Sequence, residues 1–228
     1  MSVLDIDLAG KSFGSVPVLG AVRLAIEQGQ VTTILGPSGC GKSTLLSLIA
    51  GLDDVYQGQI QVQASPVAMV FQTPRLLPWR TLAENIAVVP GAGGMTRARA
   101  LLDRVGLASA MDQFPEKVSL GMQRRAALAR ALAIRPALIL MDEPLVSLDA
   151  ETATQMRDLI VETLAEAGAT ALIATHDRRE ALHLSDRVIS LGATPTTIVG
   201  DRLSPLDASG RRNAAAVEAV HSEWFANS

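Results

Sequence analysis

The segment Gly36-Pro37-Ser38-Gly39-Cys40-Gly41-Lys42-Ser43-Thr44 constrains this chain more than any other. It follows the apolar run Val31–Leu35 and opens a helical pattern near Lys42, so it reads as strand, glycine-rich turn and helix start. Glycines let the backbone bend until successive N–H groups face inward around an anion. The helix that follows presents its positive end to the same anion. Lys42 is placed to neutralise the outer phosphates of a nucleotide, and the Ser43 hydroxyl to ligate Mg²⁺ beside them. Cys40, the chain's only cysteine, reads as a small residue that fits the turn. Alone it offers neither a disulfide nor metal-site spacing.

Three more apolar runs end in polar residues. Val67–Phe71 leads to Gln72, Leu138–Met141 to Asp142-Glu143, and Ala171–Thr175 to His176. Unbroken apolar runs suit strands covered on both faces, as in a parallel sheet, where ligands bind beyond the carboxyl ends of the strands. The four polar endpoints therefore predict one shared site in an α/β fold. Asp142 there can hold Mg²⁺ through its water shell, while Glu143 can orient and polarise an attacking water. Asp149 caps a predicted helix over 150–167 that Gly168 stops. Thr96–Val105 and Ser119–Ile134 read as helices of an insertion over 73–136, preceded by a flexible connector at Gly91–Gly94. A last helix is expected over 213–225.

Composition narrows the classes. In 228 residues, 48% are hydrophobic and 19% charged, enough for one core with an appended subdomain and incompatible with disorder. The richest apolar stretches are far shorter than the roughly 20 residues that cross a bilayer. Asp5, Asp7 and Lys11 occupy the place of a signal peptide's apolar run, so the chain is expected to stay in the cytoplasm. A net charge of −3 and only 3% aromatic residues argue against nucleic acid as a partner.

The order and spacing of these motifs resemble the ABC ATPase family over nearly the whole length. Gln72 is similar to the Q-loop glutamine, which contacts Mg²⁺ and senses a membrane subunit. The run from Val118 through Ser119, Leu120, Gly121, Met122 and Gln123 to Arg124 and Arg125 resembles the family signature LSGGMQQR. Ser147-Leu148-Asp149 matches the D-loop. Thr175-His176-Asp177, followed by Glu180-Ala181-Leu182, looks like the switch-histidine region of importers.

The resemblance implies a P-loop NTPase core of ABC ATPase type, with an antiparallel β subdomain and an inserted helical subdomain. Residues 1–72 and 137–200 would form the core with that β subdomain, 73–136 the helical signature subdomain, and 201–228 a short extension without a regulatory domain. It implies ATP and Mg²⁺ as cofactors, with Ser43, Gln72 and Asp142 as metal ligands, and catalytic roles for Lys42, Glu143 and His176. Phe13 would stack on adenine, with Val18 adding apolar contact. Ser119 to Met122 would bind the γ-phosphate held by the opposite subunit of a head-to-tail homodimer. The same likeness implies a separate integral membrane permease, a periplasmic or extracellular solute-binding protein, and a peripheral place on the cytoplasmic face of the membrane.

One departure from the pattern is Leu120, where the family has glycine. A left-handed leucine would cost roughly 1–2 kcal/mol, and its bulk would crowd the facing nucleotide, so turnover is expected to be retained but slowed. Leu76, Leu77 and Trp79, between two prolines, suit a semi-rigid surface loop that docks a partner. The segment from Leu76 to Thr81, LLPWRT, resembles ATPases of nitrate, sulfonate and taurine importers, with thiamine-precursor importers close by. An ABC ATPase serving an exporter or lipid-transport complex, and a soluble ABC ATPase without a transporter, stand as alternatives.

Overall fold

The computed structural model describes residues 2–226. In chain order the strands and helices are β1 (Ser2–Phe13), β2 (Val16–Leu19), β3 (Val22–Glu27), β4 (Val31–Leu35), α1 (Lys42–Ile49), β5 (Gln57–Val62) and β6 (Val67–Val70). Then come α2 (Leu82–Ala87), α3 (Gly94–Arg104), α4 (Leu120–Leu132), β7 (Leu138–Asp142), α5 (Ala150–Ala167), β8 (Thr170–Thr175), α6 (Arg178–Leu184), β9 (Arg187–Leu191), β10 (Ile198–Leu203) and α7 (Ala214–Phe225).

Two sheets carry the fold. β1 pairs antiparallel with β2, β3 and β5, and the second sheet runs β10-β9-β4-β8-β7-β6. Within the second sheet β9, β4, β8, β7 and β6 are parallel, and β10 closes one edge antiparallel. The two burial patterns follow from placement. β1 alternates, burying Leu4, Ile6 and Leu8 while Asp7 is exposed, because one face of its sheet meets water. All six residues of β8 are buried, because helices or the other sheet cover both of its faces.

Two apolar clusters lie on the two sides of the parallel sheet. One joins the inner face of the antiparallel sheet to α1 and to Leu138, Leu140, Leu172 and Ala174. The other joins α2, α3, α4 and α5 to Ile139, Met141, Ala171 and Ile173. Alternate residues of the same strands thus serve opposite cores, which is why these runs show no polar position.

The helical insertion begins at Thr81, which caps α2. Its side chain accepts from the Glu84 N–H, and Glu84 reaches back to the Thr81 N–H. The flexible connector expected over 91–94 is instead a tight turn. Gly91, Gly93 and Gly94 take positive φ, Ala92 is buried, and Gly94 already belongs to α3. The boundary expected at residue 200 falls inside β10, whose pairing with β9 continues to Leu203. Beyond it, Val217 and Val220 of α7 pack with Leu35, Leu182 and Val188 on the core. Among the described residues no helix is long and apolar enough to cross a membrane.

The loop before α2 is held by one buried side chain. The fully buried Asn85 donates from its amide to the Leu77, Arg80 and Thr81 carbonyls, at 3.1, 3.0 and 2.9 Å, and accepts from the Leu77 N–H at 2.7 Å. This clamp leaves Trp79 at the loop's crest, 70% exposed. Asn85→Ala strands those backbone groups, so a loss of about 2–3 kcal/mol is expected, read as a lowered denaturant midpoint.

Candidate active site

Register brings the site together. β4 lies beside β8 with Leu35 opposite Thr175, β8 beside β7 with Ala174 opposite Asp142, and β7 beside β6 with Met141 opposite Val70. The chain therefore leaves four neighbouring strands at one edge, carrying Gly36, His176, Glu143 and Gln72 in turn. Two backbone bonds cross-link these exits: the Gly36 N–H to the Thr175 carbonyl at 3.3 Å, and the Glu143 N–H to the Ala174 carbonyl at 2.8 Å.

The turn from Gly36 to Gly41 needs its glycines for two reasons. Gly41 has a φ of 103°, and a Cβ there would stand 2.7 Å from Leu19 and 3.1 Å from Val18, so β2 presses directly on the turn. A Cβ on Gly36 would stand 2.8 Å from the Cys40 sulfur, so Cys40 packs inside the turn as a buried small residue. The Thr196 hydroxyl donates to the Cys40 carbonyl and ties the turn to the connection between β9 and β10. Pro37, Ser38, Gly39 and Ser43 are exposed, and Thr44 is half-buried.

Lys42, only 4% exposed, folds back on this turn, donating to the Gly36 and Pro37 carbonyls at 2.8 and 3.0 Å. Its ammonium also lies 3.5 Å from Glu143 Oε1, and Glu143 Oε2 lies 3.3 Å from His176 Nδ1. Lys42, Glu143 and His176 thus form one connected group. Glu143 holds a φ of 45°, a conformation that non-glycine residues adopt rarely and that is concentrated at functional sites.

Asp142 sits deeper, 7% exposed, beside the Ser43 hydroxyl. Burial pushes its carboxyl up, against the neighbouring Ser43 hydroxyl, which lowers it. Its Oδ1 is shut from solvent and meets no donor among the described residues. An orphaned carboxylate oxygen beside a hydroxyl fits a divalent cation of oxygen-ligand preference such as Mg²⁺. Gln72 is exposed at the same edge, two residues past the end of β6.

The remaining expected residues lie elsewhere. Phe13 ends β1 with its ring 54% exposed and the Lys11 ammonium 4.5 Å from the ring centroid. Lys11 is itself buried, paired with Asp53 at 2.6 Å and donating to the Val55 carbonyl. Val18, half-buried, contacts Gly41.

Ser119 caps α4, accepting from the Met122 N–H at 3.3 Å. Leu120 is the first residue of that helix, so the left-handed strain expected there does not arise. Gly121 has the tighter requirement: a Cβ would stand 2.7 Å from Thr152 Cγ2, so α4 and α5 meet only because this residue is glycine. Met122 packs into the helical core. Asp149 caps α5 by accepting from the Thr152 N–H at 3.0 Å, and that bond holds its carboxyl below the usual range. The signature residues therefore abut the start of α5.

Thr196 and Lys11 support the site from outside the motifs read in the sequence, and Arg124 from within the signature run. Glu180 lies inside a segment that sequence matches, yet its contact with Thr175 is visible only in three dimensions.

Residues 19–146 match the family described as ABC transporter. An aliphatic sulfonates import ATP-binding protein, SsuB 1 of Pseudomonas syringae pv. syringae, is 43% identical over 86% of this chain and 84% of its own length. SsuB 2 of Agrobacterium fabrum is 46% identical over 82% of this chain and 75% of its own. Among solved structures, a dimeric post-hydrolysis state of the ATP-binding cassette MJ0796 bound to ADP and Pi superposes with a TM-score of 0.77 at 28% identity, covering 91% of this chain and all of that one. A nucleotide-free ATP-binding cassette gives 0.80 at 23% identity, a likeness of fold. With the phosphate turn, the acidic strand end and the histidine gathered at one sheet edge, the chain belongs to the ABC transporter family, as an ATP-binding subunit that hydrolyses ATP.

Proposed function

We propose that this chain is the nucleotide-binding subunit of an importer for a small organic anion of the sulfonate class, working as a head-to-tail dimer beneath a separate permease. The observation that carries the catalytic part is the connected group Lys42–Glu143–His176 beside the turn from Gly36 to Gly41. On binding, phosphate oxygens replace the Gly36 and Pro37 carbonyls as acceptors for Lys42, and the N–H groups of the turn and of the start of α1 surround them. Glu143 accepts a proton from, and aims, the attacking water. His176, facing Glu143 from β8, contacts the γ-phosphate and keeps the carboxylate turned toward it. Mg²⁺ held by Ser43, Asp142 and Gln72 neutralises phosphate charge when bound.

The dimer is supported by two features. Ser119 and the N–H groups opening α4 make a second anion-binding helix start, and a related cassette was solved as a dimer. The import direction and solute class rest on the names of the relatives and on the Leu76 to Thr81 segment. The exposed Trp79, on a loop whose backbone Asn85 holds on either side of it, is the anchor offered to the permease. A solute-binding protein completes the importer outside the membrane.

Purification from mild detergent is expected to recover this chain with one multi-span permease. Liposomes holding that complex should take up an alkanesulfonate when ATP is supplied on this chain's side. Recovery without an integral membrane protein would overturn the transporter reading.

Glu143→Gln should lower ATP turnover on the order of 100-fold or more while leaving nucleotide binding intact, as read by phosphate release and by a fluorescent nucleotide. Leu120 is helical, so Leu120→Gly relieves no strain. Its turnover is expected to stay within about threefold of wild type, with stability lower by at most about 1 kcal/mol from glycine in a helix.

A further inference from the structure

A second polar group lies behind the Glu143–His176 pair. Thr175, buried at the end of β8, donates its hydroxyl to Glu180 Oε2 at 2.8 Å and accepts from the Asp177 N–H at 3.1 Å. Asp177 in turn caps α6, accepting from the N–H groups of Arg179 and Glu180. The turn bearing His176 is therefore closed by the Glu180 carboxylate beneath it.

On the other side, Arg124 of α4, 5% exposed, donates to the Pro144 carbonyl at 3.2 Å, directly after Glu143. Glu180 is half-buried, and one polar atom of each group is shut from solvent without a partner among the described residues, Glu180 Oε1 and Arg124 Nε. Unsatisfied buried polar atoms are costly and concentrate where function requires them.

We propose that Glu180 is a positioning residue for ATP hydrolysis: through the Thr175 hydroxyl it sets the turn that aims His176 at Glu143, while Arg124 fixes the Glu143–Pro144 turn from the signature helix. The inference rests on the catalytic roles proposed for Glu143 and His176. Its chemistry requires no new ligand. Glu180 acts on a neighbour's geometry and touches no reacting atom.

The surroundings of Glu180 make the role testable by pH. Facing it are Asp177 at the cap of its own helix, Glu143 beyond β7, Arg157 of α5 and, at longer reach, Arg124 of α4. The charged groups of the other packed elements are engaged elsewhere: Glu218 of α7 with Arg179, and Arg211 before α7 with Asp186. Burial pushes the Glu180 carboxyl up to about 7. Above that pH the ionised group accepts the Thr175 O–H as a charge-assisted bond, and below it the bond weakens. The native state binds this proton between the unfolded value and about 7, so the group's effect on stability worsens as pH rises through that window.

The test measures kcat and KM for ATP from pH 5.5 to 8.5 in the assembled transporter, for wild type, Glu180→Ala, Glu180→Gln and Thr175→Val. Glu180→Ala should lose kcat on the order of 10-fold with KM within about twofold, and Glu180→Gln should recover much of that loss. Wild type should show a rising limb near pH 7 that both Glu180→Gln and Thr175→Val lack. The Tm of Glu180→Gln should gain on wild type as pH rises.

Equal kcat for the alanine and glutamine variants, or a glutamine profile superimposing on wild type, overturns the proposal. If Glu180→Ala does not fold, Thr175→Val decides the same question, because it removes the hydroxyl and keeps the shape. Glu143→Gln is run alongside. Full turnover in that variant would refute the catalytic pair itself, whereas its loss with unaffected Glu180 variants would refute the positioning role alone.

Discussion

Parallel pairing in step among β4, β8 and β7 is the constraint on which the site depends. Because Leu35 faces Thr175 and Ala174 faces Asp142, three chain segments leave the sheet within hydrogen-bonding distance of one another. The Gly36–Thr175 and Glu143–Ala174 backbone bonds extend the sheet's pattern one residue past its formal end. A shift of one residue in any of these strands would turn its side chains to the wrong core and move the residue that follows its end by about 3.3 Å. The apolar content of β7 and β8, buried on both faces, prevents that shift. Packing at the centre of the molecule is thus the source of precision at its edge.

Close backbone approach does the complementary work. Gly41 yields to β2, and Gly121 yields to α5. In each case a glycine lets a polar backbone turn be backed by another element. The two signature positions differ in their surroundings: Leu120 at the start of α4 is 40% exposed, while a Cβ on Gly121 would stand 2.7 Å from Thr152 Cγ2. Residue 120 has no need of glycine's conformational freedom, because its backbone is helical; the steric demand falls on the next residue.

Much of this was legible in the sequence where the signal is local. The strands bearing the polar endpoints, the cap at Asp149 with its helix over 150–167, and the phosphate turn all follow from short-range rules, and the structure has them. What escaped is non-local. Asn85 reads as one more polar residue of a short helix until the loop it clamps is seen in space. Thr196 reaches the phosphate turn across 156 positions, and no spacing in sequence announces that. Short α2, only six residues, lacks the repeated apolar period that identifies longer helices, and is held by its capping box and by buried Leu82 and Ile86.

The chain's electrostatics then divide into two layers around one turn. Lys42, Glu143 and His176 form the first, with His176 exposed, Glu143 half-buried and Lys42 buried against the phosphate turn. Arg124, buried, and Glu180, half-buried, form the second, and each keeps one solvent-excluded polar atom without a partner among the described residues. Since Arg124 belongs to the helix that begins with the signature and Glu180 to the helix after His176, the second layer also links α4 to the sheet edge that carries Glu143 and His176.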